Sequence, residues 1–383
     1  MKSSICDLLG IEFPLLAFSH CRDVVVEVSK AGGMGIYGAA GVGPGRLEAD
    51  LAWIDENING MPYGVDLIVP ARYESKGAKV SRTDAISKVP EEHKQFVTQV
   101  FNRHGIEGEA LDAESLHKGT RLSTNVRDDG AGKLLEVAFA HPIKLIANAL
   151  GTPPAYMIEM ARQHGVPVAA LVGAREHAIK QVEAGSDILV VSGTEAGGHC
   201  GEVSTMVLVP EVVRAVRKIS DVPILAAGGI VTGQQMAACM AMGADGAWTG
   251  SVWLTTAEAE TSPVVKEKML AATSRDTVRS KARTGKPSRQ LRSAWTDAWE
   301  APDAPKPLPM PLQSIITEPA MSRITRLAEG GHEGAAQLAS YYVGQGVGLM
   351  DQALGAGQVV QQFKEDYLDA VERLSGTLGD MEG

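Results

Sequence analysis

The chain has 383 residues, 44% apolar and 21% charged, with a formal net charge of −10. This composition supplies a large buried core and excludes wholesale disorder, and without a clustered basic face it gives no nucleic-acid footprint. Cys6, Cys21, Cys200 and Cys239 match neither a zinc pattern nor a Cys-x-x-Cys pair, no apolar stretch reaches membrane-spanning length, and the start Met1-Lys2-Ser3-Ser4-Ile5 carries no signal-peptide pattern, so a cytoplasmic protein is expected.

Short apolar runs bounded by turn residues predict strands at 14–18, 34–39, 63–69, 144–149, 167–172, 188–192, 223–227 and 246–250. Helix-length segments fall between most of them, at 23–31, 45–57, 154–164, 175–184, 210–219 and 233–241. Strand-helix alternation implies parallel strands with right-handed crossovers, and eight strands suit a closed α/β (β/α)8 TIM barrel. The open doubly wound alternative lacks its Gly-x-Gly-x-x-Gly, since Ala17-Phe18-Ser19-His20 ends the first strand. A weak echo joins Ala184-Gly185-Ser186-Asp187 to Met242-Gly243-Ala244-Asp245, each leading into a strand.

Two regions break the rhythm. Residues 1–70 and 142–255 are expected to form the barrel, and 71–141 an insertion after strand three, serving as a lid or substrate-pocket subdomain. Within the insertion a helix starts after Pro90, with Phe96, Val97, Val100 and Phe101 on one face. Residues 256–383 are expected to form a helical C-terminal extension that holds a Pro-rich stretch at 301–309 and packs on the barrel.

The chemistry concentrates at three strand ends. Ala226-Ala227-Gly228-Gly229-Ile230 closes strand seven before a helix, and Trp248-Thr249-Gly250-Ser251 closes strand eight. Glycines there let backbone N–H groups approach an anion, and barrels commonly bind phosphate at these strands; tight-turn glycines are the plainer reading. After strand six comes Ser192-Gly193-Thr194-Glu195-Ala196-Gly197-Gly198-His199-Cys200-Gly201. Many small residues around one imidazole make poor core and a good ligand cradle, and a neutral histidine can accept and return a proton. A lone histidine is usually a loop or capping residue; here the context points to the site. Glu195 orients the loop or is simply solvated. His93, His104 and His117 are expected at the surface, whereas His20 follows strand one at the same mouth and holds a reserve place in the pocket. No His/Asp/Glu cluster has metal spacing, and no Gly-x-Ser-x-Gly elbow is present.

These motifs resemble the nitronate monooxygenase (2-nitropropane dioxygenase) family: Glu195 to His199, Leu208-Val209-Pro210, and Ala226 to Ile230. Phe13 to Ala17, Pro62 to Leu67, Arg283 to Arg289 and Gly344 to Gly348 extend the resemblance over nearly the whole chain outside 71–140. It implies an FMN-dependent barrel oxidoreductase. The phosphate would sit at Gly228, Gly229, Gly250 and Ser251, beside Ala227; the flavin ring would meet Ala17, Phe18 and Ser19; Asp66 takes the family's third-strand amide position; and Gly193, Gly197 and Gly198 complete the cradle around the catalytic His199. Three features depart from the family: Phe18-Ser19 replaces Pro-Met, Asp66 replaces Asn, and Ala169 to Gly173 lacks a lysine. The implied reaction is oxidation of an alkyl nitronate, such as propionate 3-nitronate, by O2 to a carbonyl compound and nitrite. The alternative is NAD(P)H-dependent FMN reduction serving a quinone or enoyl thioester, and a non-catalytic flavin-binding protein is a third reading. A homodimer is also expected.

Overall fold

The computed structural model describes residues 3–69, 86–108, 111, 116, 128–149 and 151–379. Its first part runs α1 (Ser4–Leu9), β1 (Leu15–Ser19), α2 (Arg22–Lys30), β2 (Met34–Gly38), α3 (Pro44–Asn57), β3 (Tyr63–Leu67), α4 (Glu91–Arg103), α5 (Asp128–Ala140) and β4 (Leu145–Asn148). There follow α6 (Ala155–Gln163), β5 (Val168–Val172), α7 (Arg175–Glu183), β6 (Ile188–Ser192), β7 (Gly198–His199), α8 (Thr205–Val216), β8 (Ile224–Ala227), α9 (Gly233–Ala241) and β9 (Gly246–Thr249). The C-terminal part holds α10 (Pro263–Leu270), β10 (Thr277–Ser280), β11 (Ser288–Leu291), α11 (Ala294–Glu300), α12 (Leu312–Glu329), α13 (Glu333–Leu338) and α14 (Ala356–Gly379).

Eight parallel strands close a barrel in the order β1-β2-β3-β4-β5-β6-β8-β9, and β9 returns to β1 with Trp248 opposite Leu16. These are the eight expected strands. Alternation sorts their side chains: Leu16, Ile36, Leu145, Ala169, Val190 and Leu225 fill the barrel, while Leu15, Val65, Ile146 and Leu189 face the helices. Helix α1 plugs the N-terminal end with Ile5, Cys6 and Leu9, and Ser3 Oγ donates to the Asp245 carbonyl at 2.6 Å. With the bottom sealed, the strands' C-terminal ends form the mouth.

One predicted helix begins elsewhere. The expected start at 210 is wrong, because α8 begins at Thr205 and carries Pro210 inside it. Proline leaves the Met206 carbonyl without its helical N–H partner. Met206 is 65% exposed, so water can serve that carbonyl.

Within 71–141, α5 lies against α3 and sends Leu134, Leu135 and Phe139 into the layer between helices and barrel. Helix α4 buries Phe96, Val97, Val100 and Phe101, the face that the periodicity predicts. It docks on the C-terminal extension: Phe96 meets Trp299 edge-on at 4.8 Å, and the Arg323 guanidinium lies 5.4 Å from the Phe101 ring centre. That docking buries His93, with Nε2 3.0 Å from the Lys306 carbonyl, contrary to the surface position expected of it. His117 lies outside the described residues.

The extension is built into the barrel wall. Helix α14 packs along α9 so tightly that a Cβ at Gly233 would overlap the Phe363 carbonyl. Phe363 is buried and stacks on Trp253 at 6.4 Å. Phe363→Ala is therefore expected to cost about 3–5 kcal/mol, read as a lower urea midpoint for the whole chain. Unfolding of α14 alone, with the barrel's midpoint unchanged, would show that the extension is an independent appendage.

Candidate active site

On β1, Ala17 packs outward under the helices, and Phe18 points into the mouth. Phe18 stacks against Trp248 of β9 with centroids 6.5 Å apart, forming an aromatic floor. Ser19 Oγ accepts from the Cys21 N–H at 3.1 Å, which leads the chain into α2. His20 stands edge-on over Phe18 at 5.0 Å, and its Nδ1 lies 2.7 Å from the Gly38 carbonyl. Because a carbonyl only accepts, Nδ1 carries the proton and Nε2 keeps a free lone pair. A Cβ at position 38 would lie 2.7 Å from the Phe18 ring and 2.9 Å from His20 Nδ1, so only glycine admits this arrangement. His20 retains an exposed edge, yet burial of the rest of the ring pushes its pKa below the usual histidine value.

Asp66 comes from β3, beside Gly38 in the ladder. Its neighbours Val65 and Leu67 pack outward, so Asp66 points into the barrel. It is 3% exposed, and Oδ1 has no hydrogen-bond partner among the described residues. Desolvation alone pushes its pKa up to about 7. An orphaned buried carboxyl at a barrel mouth is a polar group awaiting a donor, which suits the flavin N3–H expected there.

The two glycine sites stand at adjacent strand ends. Gly228 and Gly229 have φ of 100° and 74°, a left-handed pair that turns the chain back from β8. The N–H groups of Gly229 and Ser251 find no acceptor among the described residues. A Cβ at Gly250 would meet nothing within 4 Å, so space opens in front of β9. Free donors beside open space fit a phosphate. Ser251 Oγ also accepts from the Gly344 N–H at 2.8 Å. A cavity of ≈ 260 Å³ borders Gly228 and Gly229 away from the barrel axis, among Thr205, Gln235, Cys239 and Leu349. The helix starts beside it are already taken: Glu195 holds Thr205, and Thr232 with Gln235 forms a capping box on α9.

The histidine loop is fixed from three sides. Glu195 accepts from the Thr205 N–H at 3.0 Å and from Thr205 Oγ1 at 3.0 Å, so its carboxylate caps α8. The Glu195 carbonyl takes the Gln345 N–H at 2.8 Å. Strand β7 pairs with β11, His199 opposite Ser288, and Arg289 Nε donates to the Thr194 carbonyl at 2.9 Å. Gly193 and Gly197 serve this packing, against Thr205 and Val343–Gly344, while a Cβ at Gly198 would meet open space. His199 is exposed, and its Nδ1 lies 3.1 Å from the Pro287 carbonyl. The same logic leaves Nε2 free. Burial of part of the ring, with Lys286 nearby, lowers its pKa.

Sequence reasoning did not find Gly38 or Thr205, and it marked Pro287 and the Gly344–Gln345 strap only as parts of family signatures, without a role in the site. A small residue in an apolar strand signals Gly38 only weakly. Pro287 and the strap act through backbone groups, which leave no residue-type signature, and the Thr205 N–H and hydroxyl pair with a carboxylate ten residues away.

Asp66 yields a sign that can be checked. A carboxyl raised in the folded state contributes stability that is full below its unfolded pKa and lost as pH rises through about 7. The flavin-free protein should lose stability between about pH 4 and about pH 7, by at most ~4 kcal/mol. Asp66→Asn should remove most of that slope in urea melts; an unchanged slope would put its origin elsewhere.

Comparison with known proteins agrees with this geometry. The sequence profile of the nitronate monooxygenase family matches residues 2–366. A putative monooxygenase of Mycobacterium tuberculosis is 51% identical over 377 residues, covering 98% of this chain and 99% of the relative. A probable nitronate monooxygenase of Staphylococcus saprophyticus is 26% identical, covering 97% and 99%. Among solved structures, FabK of Thermotoga maritima superposes with TM-score 0.70 at 25% identity, covering 98% and 99%. Nitroalkane oxidase of Streptomyces ansochromogenes superposes with TM-score 0.77 at 24% identity, covering 97% and 100%, a likeness of fold. With a profile that spans the chain and a barrel mouth that carries the motifs, the chain belongs to the nitronate monooxygenase family of oxidoreductases.

Proposed function

We propose that this chain holds FMN at the barrel mouth and oxidises alkyl nitronates with O2, giving a carbonyl compound and nitrite. FMN, when bound, supplies the redox chemistry between nitronate and O2. Gly228, Gly229, Gly250 and Ser251 would hold its phosphate, Asp66 would accept from the ring N3–H, and Phe18 and Ser19 would line the ring, with Ala17 contributing only its backbone because its side chain packs outward. Gly193, Gly197, Gly198 and Ala227 would close the cradle, those packed against protein doing so through their backbone.

The observation that carries the reading is the 3.1 Å contact of His199 Nδ1 with the Pro287 carbonyl. That contact leaves Nε2 as a proton acceptor in the loop above β6. His199 would take the α-proton of a neutral nitroalkane. Only then, as imidazolium, would it donate a hydrogen bond to the nitro group. Its lowered pKa keeps it neutral and ready near pH 7. A nitronate already lacks the α-proton and does not need the base.

Propionate 3-nitronate, added anaerobically to the flavin-loaded protein, should bleach the flavin absorbance, and an unaltered spectrum would overturn the reading. His199→Asn should keep FMN and lower turnover of the neutral nitroalkane about 100-fold; full turnover would leave His199 a loop residue. Gly250→Val should fold, since its Cβ meets open space, yet retain FMN poorly by intruding on the phosphate. Retention equal to wild type would place the phosphate elsewhere.

The likeness to FabK favours a second reading of the same site, in which NADH or NADPH reduces the flavin for a quinone or enoyl thioester. Anaerobic flavin reduction by NAD(P)H at catalytic rates would select it.

A further inference from the structure

We propose that His20 is a second proton acceptor of this mouth, taking the α-proton of a neutral nitroalkane at Nε2. The inference rests on the nitro-compound reading above and adds a residue to it.

The geometry supplies each requirement of a base. The Gly38 carbonyl, 2.7 Å from Nδ1, fixes the tautomer and leaves the Nε2 lone pair free. Phe18, edge-on at 5.0 Å and itself lying against Trp248, fixes the plane of the ring. The residue keeps an exposed edge at the C-terminal rim of β1, beside the floor where the flavin ring is expected. No salt bridge among the described residues includes it, unlike His141, which lies 2.6 Å from Asp55. Burial of the ring lowers the pKa, which favours the neutral, accepting form.

The step balances simply. The α C–H bond breaks, its proton bonds to Nε2, and the electron pair stays with the substrate, delocalised onto the nitro oxygens as nitronate. The resulting imidazolium keeps its Nδ1–H on the Gly38 carbonyl. A preformed nitronate gains nothing from this lone pair, which faces its oxygens as acceptor against acceptor. His20 therefore sets the choice between neutral and anionic substrates.

The test uses His20→Gln with 3-nitropropionate and propionate 3-nitronate in parallel. The ratio of kcat/KM for 3-nitropropionate, whose nitroalkane end is neutral, to that for the nitronate should fall at least about tenfold. The dissociation constant of FMN, read by flavin fluorescence, should stay within about threefold, because the change acts on proton transfer and not on the cofactor. Nitrogen-15 NMR of histidine-labelled wild-type protein provides a check that needs no variant to fold, and it should show His20 protonated at Nδ1 near pH 7. An unchanged ratio, or a proton on Nε2, overturns the role of His20. A wild-type enzyme that consumes neither compound overturns the functional reading itself, and the inference falls with it.

Discussion

The arrangement of the mouth depends on one charged hydrogen-bond set, the Glu195 carboxylate on the N–H and hydroxyl of Thr205. It satisfies the start of α8 and at the same time holds the loop that carries His199. The same Thr205 hydroxyl lies 2.9 Å from the Gly228 carbonyl, between which and Glu195 its one proton is shared, so the glycine pair after β8 belongs to the same knot. The crowding is severe: a Cβ at Gly228 would lie 2.9 Å from Thr205 Oγ1 and 3.0 Å from the Gly193 backbone. The glycine side and the histidine side of the mouth are thus one rigid unit, as pre-organised chemistry requires.

The two histidines repeat a device. Each lies with Nδ1 on a backbone carbonyl, that of Gly38 or Pro287, and each has its pKa held down chiefly by desolvation. A carbonyl, unlike a carboxylate, does not stabilise an imidazolium by charge, so both rings stay neutral. Asp66 is the opposite case. Its carboxyl faces the same mouth without a donor for Oδ1 among the described residues, and desolvation by burial raises its pKa. A mouth with two neutral acceptors and one carboxyl poised near neutrality carries little fixed charge, which suits substrates that change charge when they lose a proton.

The C-terminal extension contributes support to this site. Strands β10 and β11 extend the short strand that holds His199, and the strap at Gly344–Gln345 lies against Glu195 and Ser251. Arg283, buried beside Glu318 and the rings of Tyr341 and Tyr342, ties the hairpin to the last helices. A substitution far along the chain can therefore reach the histidine loop through backbone contacts.

Sequence alone determined the barrel, because eight strands buried on both faces leave short apolar runs that turn residues punctuate. It also marked Gly228, Gly229, Gly250 and His199 by residue type, and Asp66 through the family resemblance alone. It misplaced the start of α8, because Pro210 reads as a helix opening and the capping Glu195 lies ten residues upstream. It put His93 at the surface because nothing local records that α4 docks on a segment some two hundred residues away. Only the tertiary structure decided which nitrogen of each histidine lies on a carbonyl and that Asp66 Oδ1 finds no partner among the described residues. Those properties depend on backbone carbonyls and on empty space, and neither is written in residue type.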